Sequence, residues 1–520
     1  MRHATIIGLA ALLCACAARA PRQPLRTLAE ADGLAAIGCY ACLVEALDIY
    51  EAHLAQARRP APEAARGAFR ASLLLALREK EIGLPAVGYL ERARARAASL
   101  PPVEDAPLLV ALADAIAWDY AGLTKEFSEE FIRTRQAIGP QVAGWRARLK
   151  PRLADPFVAY IDASLACSYG DYRARDASLD AIQAQHGGSP LVKYRLGACV
   201  QRRRELLEDV LDLEPRYAEA HLFLGRYALA DASRGRGMRK TIAPHLTAAY
   251  EAFPRSPSAT VALAGMYRTF NKLKDAVRYY DETLALVPAH REALLGRIIS
   301  LTYLQRPDEA IADATRLIEL GEWYIGDAFY WRAYNRRLQK RLDEARDDAE
   351  SAKQTAGLRP DVFLLAGIIY FERGAIEAAS ADLEKTMDMD RSSAICDAAW
   401  YLGLVRSEQK KWEGALALFP RAAGCYRTSA DAYRADLTEM QKADVEPEDA
   451  EEVGALASEY QRAIDDQLVS EARSYYNAAY SGAQLGRRTE AIGFATRAAE
   501  HAIMKEKAAE LIAALNKPSR

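Results

Sequence analysis

The 520-residue sequence predicts an all-α fold, a solenoid of antiparallel helix pairs, from three observations. The first is a period: Pro254 and Pro288 stand 34 residues apart, Ala276 and Ala310 also 34, and Ala310 and Ala345 35. Self-similarity at this spacing marks arrays in which each unit buries its apolar face on its neighbours. The second is pattern. Apolar residues recur at helical spacing, and no segment offers several alternating strands with paired turn residues, so β content should be minimal. The third is composition. A hydrophobic fraction of 51%, a charged fraction of 27% and a mean hydropathy of -0.18 exclude both a disordered tail protein and a polytopic membrane protein. Lys+Arg at 69 against Asp+Glu at 71 leaves a formal charge of -2, too balanced for general duplex binding through phosphate neutralisation, so no nucleic-acid partner is expected.

At the front of the chain Arg2 precedes an apolar run from Ile6 to Leu13, the charge-then-apolar order of a secretory signal peptide. The run is too short to span a bilayer, which takes roughly 20 apolar residues. Leu13-Cys14-Ala15-Cys16 then resembles a bacterial lipobox, with Leu13 three residues before Cys16 and the small Ala15 immediately before it. Cys14 fits that pattern poorly, because Leu13 would take the small-residue place. Ala18-Arg19-Ala20 has the small-x-small form of an ordinary cleavage site, but Pro21 follows the scissile bond. The lipobox resemblance implies that residues 1–15 are a signal peptide, that Cys16 is lipidated, and that residues 16–28 are a tether. Several acyl chains would hold the chain on a membrane. Ala17 in place of Asp after the cysteine implies an outer-membrane lipoprotein of the bacterial envelope, facing the periplasm.

Residues 29–150 follow as an N-terminal helical region, in which Gly38, Tyr40, Ala46 and Tyr50 suggest the turn and second helix of a degenerate repeat. LPPVED near residue 100 and IGP near residue 140 are its best breaks. Residues 151–215 hold two looser units, beginning DPFVAYIDASL and SPLVKYRLGAC. Residues 216–440 carry the clearest array. SPSATVALAGMYRTFNKLKDAVRYYDETLALVP supplies a near-complete unit with Leu263, Ala264, Tyr267, Ala276, Tyr280 and Pro288 in phase, and PDVFLLAGIIYFERGAIEAASADLEKTM and CDAAWYLGLVRSEQKKWEGALALFPRAA supply two more. Residues 441–520 begin with an acidic, solvated insertion, KADVEPEDAEE, and continue into SYYNAAYSGAQLGRRTEAIGFATRAAEHA and capping helices.

Small residues where two helices cross, Tyr or Leu filling the gap beside them, and Pro after the second helix resemble the tetratricopeptide repeat. The resemblance implies a right-handed superhelix of antiparallel helix pairs, with the first helix of each pair lining a concave groove for a protein or peptide partner. Transferred in phase, the groove residues are Arg226, Arg268, Tyr303, Tyr330, Tyr334, Arg337, Phe371 and Trp400. Aromatic residues and arginine are what binding hot spots favour, although a helical aromatic stripe also suits a core. In EWYIGDAFYWRAYNRR the aromatics are so dense that some must be exposed or stack on one another. The carboxylate clamp of cytosolic chaperone partners places Asn and Lys in the groove, and Asn271, Asn335, Asn477 and Asn516 do not fall in that pattern.

Phosphate loops, dinucleotide fingerprints and nucleophile elbows are missing from the sequence, and Gly235-Arg236-Gly237 reads as a flexible basic loop between helices. The seven histidines, His3, His53, His186, His221, His245, His290 and His501, show no helical pair at metal spacing, so no metal, no cofactor and no enzymatic activity are expected. Of eight cysteines, setting aside Cys14 and Cys16 leaves six, an even number in an exported chain. Gly403 sets the repeat phase so that Cys396 opens a first helix and Cys425 lies near the end of its antiparallel partner, which predicts a disulfide between them. Cys167 and Cys199 stand on neighbouring first helices, where pairing is open. Cys39 and Cys42 form a local bridge or remain free thiols; Leu43 in place of His excludes c-type haem attachment, and a redox role would want a strand context that is missing. The function this sequence predicts is a non-enzymatic, lipid-anchored scaffold of the bacterial envelope. The alternative is a glycan-capturing outer-membrane lipoprotein of the starch-utilisation type, whose long Asn-, Gly- and Trp-rich loops this chain lacks.

Overall fold

A computed structural model describes residues 26–124, 129–170, 172–232, 239–321, 323–389, 394–442 and 450–517. Cys16, the signal segment and Gly235-Arg236-Gly237 lie outside the described residues. Among those residues every regular element is a helix. The repeat is punctuated chemically at both ends of its first helices. Asp155, Ser189 and Ser256 each cap a helix whose first residue is proline, accepting hydrogen bonds from the N–H groups of Phe157, Val192 and Ala259. At the other end the chain turns through a residue at positive φ: Asn271, Gln305, Lys340, Gly374 and Lys410, at 55°, 56°, 61°, 76° and 57°. These stand 34, 35, 34 and 36 residues apart, so the period seen in the sequence is a period of left-handed turn residues as well.

The chain forms two compact units. The first takes the described residues up to Glu81, Pro85–Tyr120 and Ala137–Glu219. Its helices are α1 (Leu28–Ile37), α2 (Tyr40–Gln56), α3 (Pro62–Ile82), α4 (Tyr89–Ala97), α5 (Ala106–Thr124), α6 (Glu129–Leu149), α7 (Pro156–Tyr169), α8 (Tyr172–His186), α9 (Pro190–Cys199) and α10 (Glu205–Leu213), with α5 and α6 extending beyond it. Its centre is ionic. Arg78 is fully buried, donating to Glu81 at 2.9 Å, to the Tyr160 and Tyr217 hydroxyls at 3.0 and 2.9 Å and to the Gly38 carbonyl at 3.2 Å. Its guanidinium lies 3.6 Å from the centre of the Tyr194 ring, and its Nε is 3.5 Å from Glu219. Arg195 also pairs with Glu81, and the Tyr40 N–H donates to Glu219 at 2.7 Å. Residues 29–150 and 151–215, read from the sequence as separate regions, thus meet in one unit through this network. The break expected at IGP is also absent: α6 runs through Pro140. Pro140 and Gln136 are both exposed, so the carbonyl that a proline leaves without its helical donor faces water.

The second unit takes Ile82–Leu84, Ala121–Gln136 and the described residues from Ala220 onward. Its paired helices are α11 (Ala218–Ala232) with α12 (Arg239–Ala252), α13 (Pro257–Thr269) with α14 (Leu273–Leu286), α15 (Arg291–Tyr303) with α16 (Pro307–Leu320), α17 (Ile325–Leu338) with α18 (Leu342–Thr355), and α19 (Pro360–Glu372) with α20 (Ile376–Met389). Then come α21 (Ala394–Glu408), α22 (Trp412–Lys442), α23 (Ala450–Gln484), α24 (Arg488–Ala499) and α25 (Lys505–Asn516). Crossing glycines hold the pairs close. A Cβ on Gly367 would sit 2.7 Å from Leu383 Cγ, and one on Gly403 2.7 Å from Phe419 Cε1. An ion pair repeats in the same register: Arg297 to Asp313 at 2.6 and 2.7 Å, and Arg332 to Asp348 at 2.7 and 2.9 Å. One repeat later Ala366 takes the arginine's place, and Lys353 of the preceding pair reaches Asp382 at 3.0 Å instead.

The boundary expected at residue 440 falls in the last turn of α22, which ends at Lys442. Helix α22 has 31 residues and α23 has 35, and together they form a hairpin longer than a repeat. The cause is an apolar stripe, Ala423, Tyr426, Ala430 and Leu437, that continues at helical spacing past the expected end of the second helix, where Ala430 and Leu437 pack on Ile464, Tyr460 and Leu468 of α23.

Candidate functional site

The first helices α17, α19 and α21 turn one register of residues toward a common side. The hairpin formed by α22 and α23 borders the same side, and together they line a half-open cavity of about 410 Å³. Tyr330, Tyr334 and Arg337 come from α17; Asp361, Leu364, Leu365 and Ile368 from α19; Asp397, Trp400 and Tyr401 from α21; Tyr426 from α22; and Ser470 and Arg473 from α23. That volume falls within the range of about 300–1,000 Å³ typical of ligand pockets.

Ring packing fixes the walls. Trp331 meets Tyr303, Tyr330 and Tyr334 edge-on, with centroids 6.1, 5.2 and 5.8 Å apart, which holds the dense aromatic stretch by mutual stacking. Trp400 and Tyr401 lie edge-on at 4.8 Å, and Tyr401 meets Phe371 at 5.9 Å. Burial, then the nearby Asp361, pushes the Tyr330 phenol up, and burial does the same to Tyr401. These phenols therefore stay protonated at neutral pH and can donate.

The charges are mostly engaged. Asp361 accepts two hydrogen bonds from Arg359, at 3.2 and 2.6 Å. Asp397 accepts the Tyr426 hydroxyl at 2.6 Å, and burial together with Asp397 pushes the Tyr426 phenol up. Arg337 donates to Glu372 at 2.9 and 2.5 Å. Arg473 is exposed and makes no ion pair among the described residues, and the Tyr330 and Tyr334 hydroxyls have no hydrogen-bond partner among them.

Of the eight groove residues expected from the sequence, Tyr330, Tyr334, Arg337 and Trp400 line this cavity. The other four do not. Tyr303 is 64% exposed beside Trp331, outside the cavity. Phe371 packs among Leu402, Val405 and their neighbours, because its place on the last turn of α19 points it into the next pair. Arg268 donates to the Tyr280 hydroxyl of its own second helix at 3.3 Å. Arg226 is exposed on α11, away from the cavity.

All six cysteines of the described chain are joined: Cys39 to Cys42, Cys167 to Cys199 and Cys396 to Cys425, with Cα atoms 5.0, 5.9 and 5.3 Å apart. Cys39 caps α2 and is buried with Cys42, which removes the pair from solvent. Two of the histidines meet across helices: His221 and His245 bring their Nδ1 atoms to 2.7 Å, because α11 and α12 face one another there, a contact that residue spacing within one helix does not reveal. Burial, then His221, lowers the His245 pKa.

No protein-family model matches the chain, and no curated protein matches it by sequence. Among solved structures the chain is similar to YrrB, described as a TPR protein with an unusual peptide-binding site. The TM-score is 0.30 at 18% identity, over 35% of this chain and 91% of that one. It is similar also to pilF of Pseudomonas aeruginosa, with a TM-score of 0.34 at 17% identity over 39% of this chain and 88% of that one. The Cut9–Hcn1 structure, an APC/C hetero-tetramer, is similar over 92% of this chain and 93% of its own, with a TM-score of 0.40 at 13% identity.

Proposed function

We propose that this chain is a lipid-anchored scaffold of the bacterial envelope that docks a segment of a partner protein on the concave side of its second unit. The observation that carries the reading is the cavity itself: aromatic side chains of α17 and α21 and aliphatic ones of α19, with open hydroxyls and a free guanidinium among them, form a pocket of mixed apolar and polar lining that suits a partner's side chain. The cysteines support export, because three disulfides are the habit of an oxidising compartment. Arg2, the run Ile6–Leu13 and Leu13-Cys14-Ala15-Cys16 support the anchor and the envelope address.

Crosslinking of the full-length chain in cells, followed by recovery of its partner, tests the docking reading. Tyr334→Ala and Trp400→Ala should each cut recovery by more than fivefold, corresponding to a hot spot of about 1 kcal/mol or more, while Arg226→Ala leaves it intact. Equal recovery in all three variants refutes a docking site at the cavity. For the anchor, a fatty-acid probe should label the wild type and not Cys16→Ser.

A further inference from the structure

Building on the docking reading above, we propose that the cavity takes an acidic anchor: a partner segment in which a bulky apolar side chain stands next to a carboxylate, the apolar group resting on Leu364, Leu365 and Ile368 and the carboxylate on Arg473. The argument is one of charge and hydrogen-bond capacity. Two carboxylates border the cavity, and both already accept: Asp361 holds the fork of Arg359, and Asp397 takes the Tyr426 hydroxyl. One of the two guanidiniums is likewise engaged, Arg337 on Glu372. What remains open among the described residues is donor capacity, namely the Arg473 guanidinium, the hydroxyls of Tyr330 and Tyr334 and the Trp400 N–H. The Trp400 N–H is buried without an acceptor, which is costly, and the exposed Arg473 offers a planar fork that a carboxylate matches best.

The site is built for this from two directions. Tyr330 and Tyr334 stand on α17, whereas Arg473 comes from α23, well over a hundred residues later. Two contacts hold α23 over this face: Arg427 of α22 pairs with Glu471 at 2.8 Å, two residues before Arg473, and Asn271 at the end of α13 donates to Glu459 at 2.6 Å. The hairpin therefore brings the cation to the cavity that the aromatic rings line. An occupant that satisfies both must present apolar area and negative charge side by side.

Fluorescence polarisation with the purified full-length chain tests this. The probes are labelled peptides Gly-Ser-Leu-Phe-Glu-Gly-Ser with an amidated end, the same peptide with Gln or Lys in place of Glu, and Gly-Ser-Leu-Phe with a free or an amidated C-terminus. The Glu peptide should bind about tenfold or more tighter than the Gln peptide, the scale of a hydrogen bond to a charged group. Arg473→Gln, a change at an exposed residue, should bring that ratio near one without weakening the Gln peptide. If the ratio and its dependence on Arg473 are found only between the free and amidated ends, the carboxylate recognised is a chain terminus. Equal binding of Glu and Gln with equal binding of the two ends, tightest binding of the Lys peptide, or no binding by any peptide overturns the proposal. In the first two cases loss on Tyr334→Ala leaves the docking reading standing. Binding of an oligosaccharide in place of every peptide takes the docking reading down too.

Discussion

Replacing Arg78 by Met should unfold the first unit locally, and the size of the effect follows from what Arg78 holds. Methionine keeps most of the stem but removes a buried cation that donates to Glu81, to the hydroxyls of Tyr160 and Tyr217 and to the Gly38 carbonyl. Glu81 retains Arg195, but Glu219 is left with the Tyr40 N–H and no cation. Stranding one partner of a buried pair costs about 3–5 kcal/mol. The cost should depend on pH in a specific way. In the wild type, burial outweighs Arg78 and pushes the Glu219 carboxyl up to about 7. Without Arg78 it rises further, so at a pH above both values the variant carries a burial cost for the charge that the wild type offsets. As pH falls toward about 7 the variant protonates first, and the excess destabilisation shrinks by about 1.4 kcal/mol per unit. Below 7 both proteins hold the proton and only lost packing and hydrogen bonds remain. Hydrogen exchange read on peptides covering α3 and α9 measures this in the full chain. A loss under about 1 kcal/mol at pH 9, or a loss that grows on acidification, refutes the role given to the network.

In the wild type the same carboxyl sets a slope. Its folded pKa of about 7 exceeds the ordinary 4.5, so its contribution is fully favourable below 4.5, declines by as much as about 3 kcal/mol between 4.5 and 7, and is flat above. Glu219→Gln should flatten exchange in α3 peptides over that window. Gly367→Ala and Gly403→Ala should each lower stability by about 1–3 kcal/mol, since the new methyl meets Leu383 or Phe419. Gly424→Ala, with nothing within 4 Å of its Cβ position in the interior of α22, should instead raise thermal stability by about 0.5–1 kcal/mol. Cys396→Ser with Cys425→Ser opens a bridge across 29 residues and should cost roughly 3–4 kcal/mol in the second unit by denaturant unfolding.

The array was legible because repeat packing is local and periodic. Counting back from the crossing residue of each first helix explains the half of the groove that was found and part of the half that was missed. Three residues before Gly403 stands Trp400, and three before Gly367 stands Leu364; six before them stand Asp397 and Asp361. Three of these, Leu364, Asp361 and Asp397, carry neither an aromatic ring nor a guanidinium, so a reading that favours those groups over register passes them by. Phe371 is favoured by the same preference for rings, but it stands after Gly367 rather than before it and packs into the core of the next pair. Arg268 shows the same limit: its position faces the groove, but the Tyr280 hydroxyl of its own hairpin claims it.

Other features have no periodic signal at all. Arg78 meets Gly38, Tyr160 and Tyr217 across 40, 82 and 139 residues, in a stretch where no repeat register could be set, so nothing in the local pattern separates it from a surface arginine. The α23 side of the cavity is of the same kind. Arg473 sits on the exposed face of a helix whose own stripe is satisfied by α22, and only the fold of the hairpin brings it to the cavity that Tyr334 lines. The consequence reaches the function. A groove read from first helices alone is open and aromatic, and it would accept any apolar anchor. On the proposal above, α23 adds Arg473 to the cavity these rings line, and selectivity would pass to a residue outside the repeat phase. Changing Arg473 should therefore alter which segment is chosen, whereas changing Tyr334 should alter how tightly any segment is held.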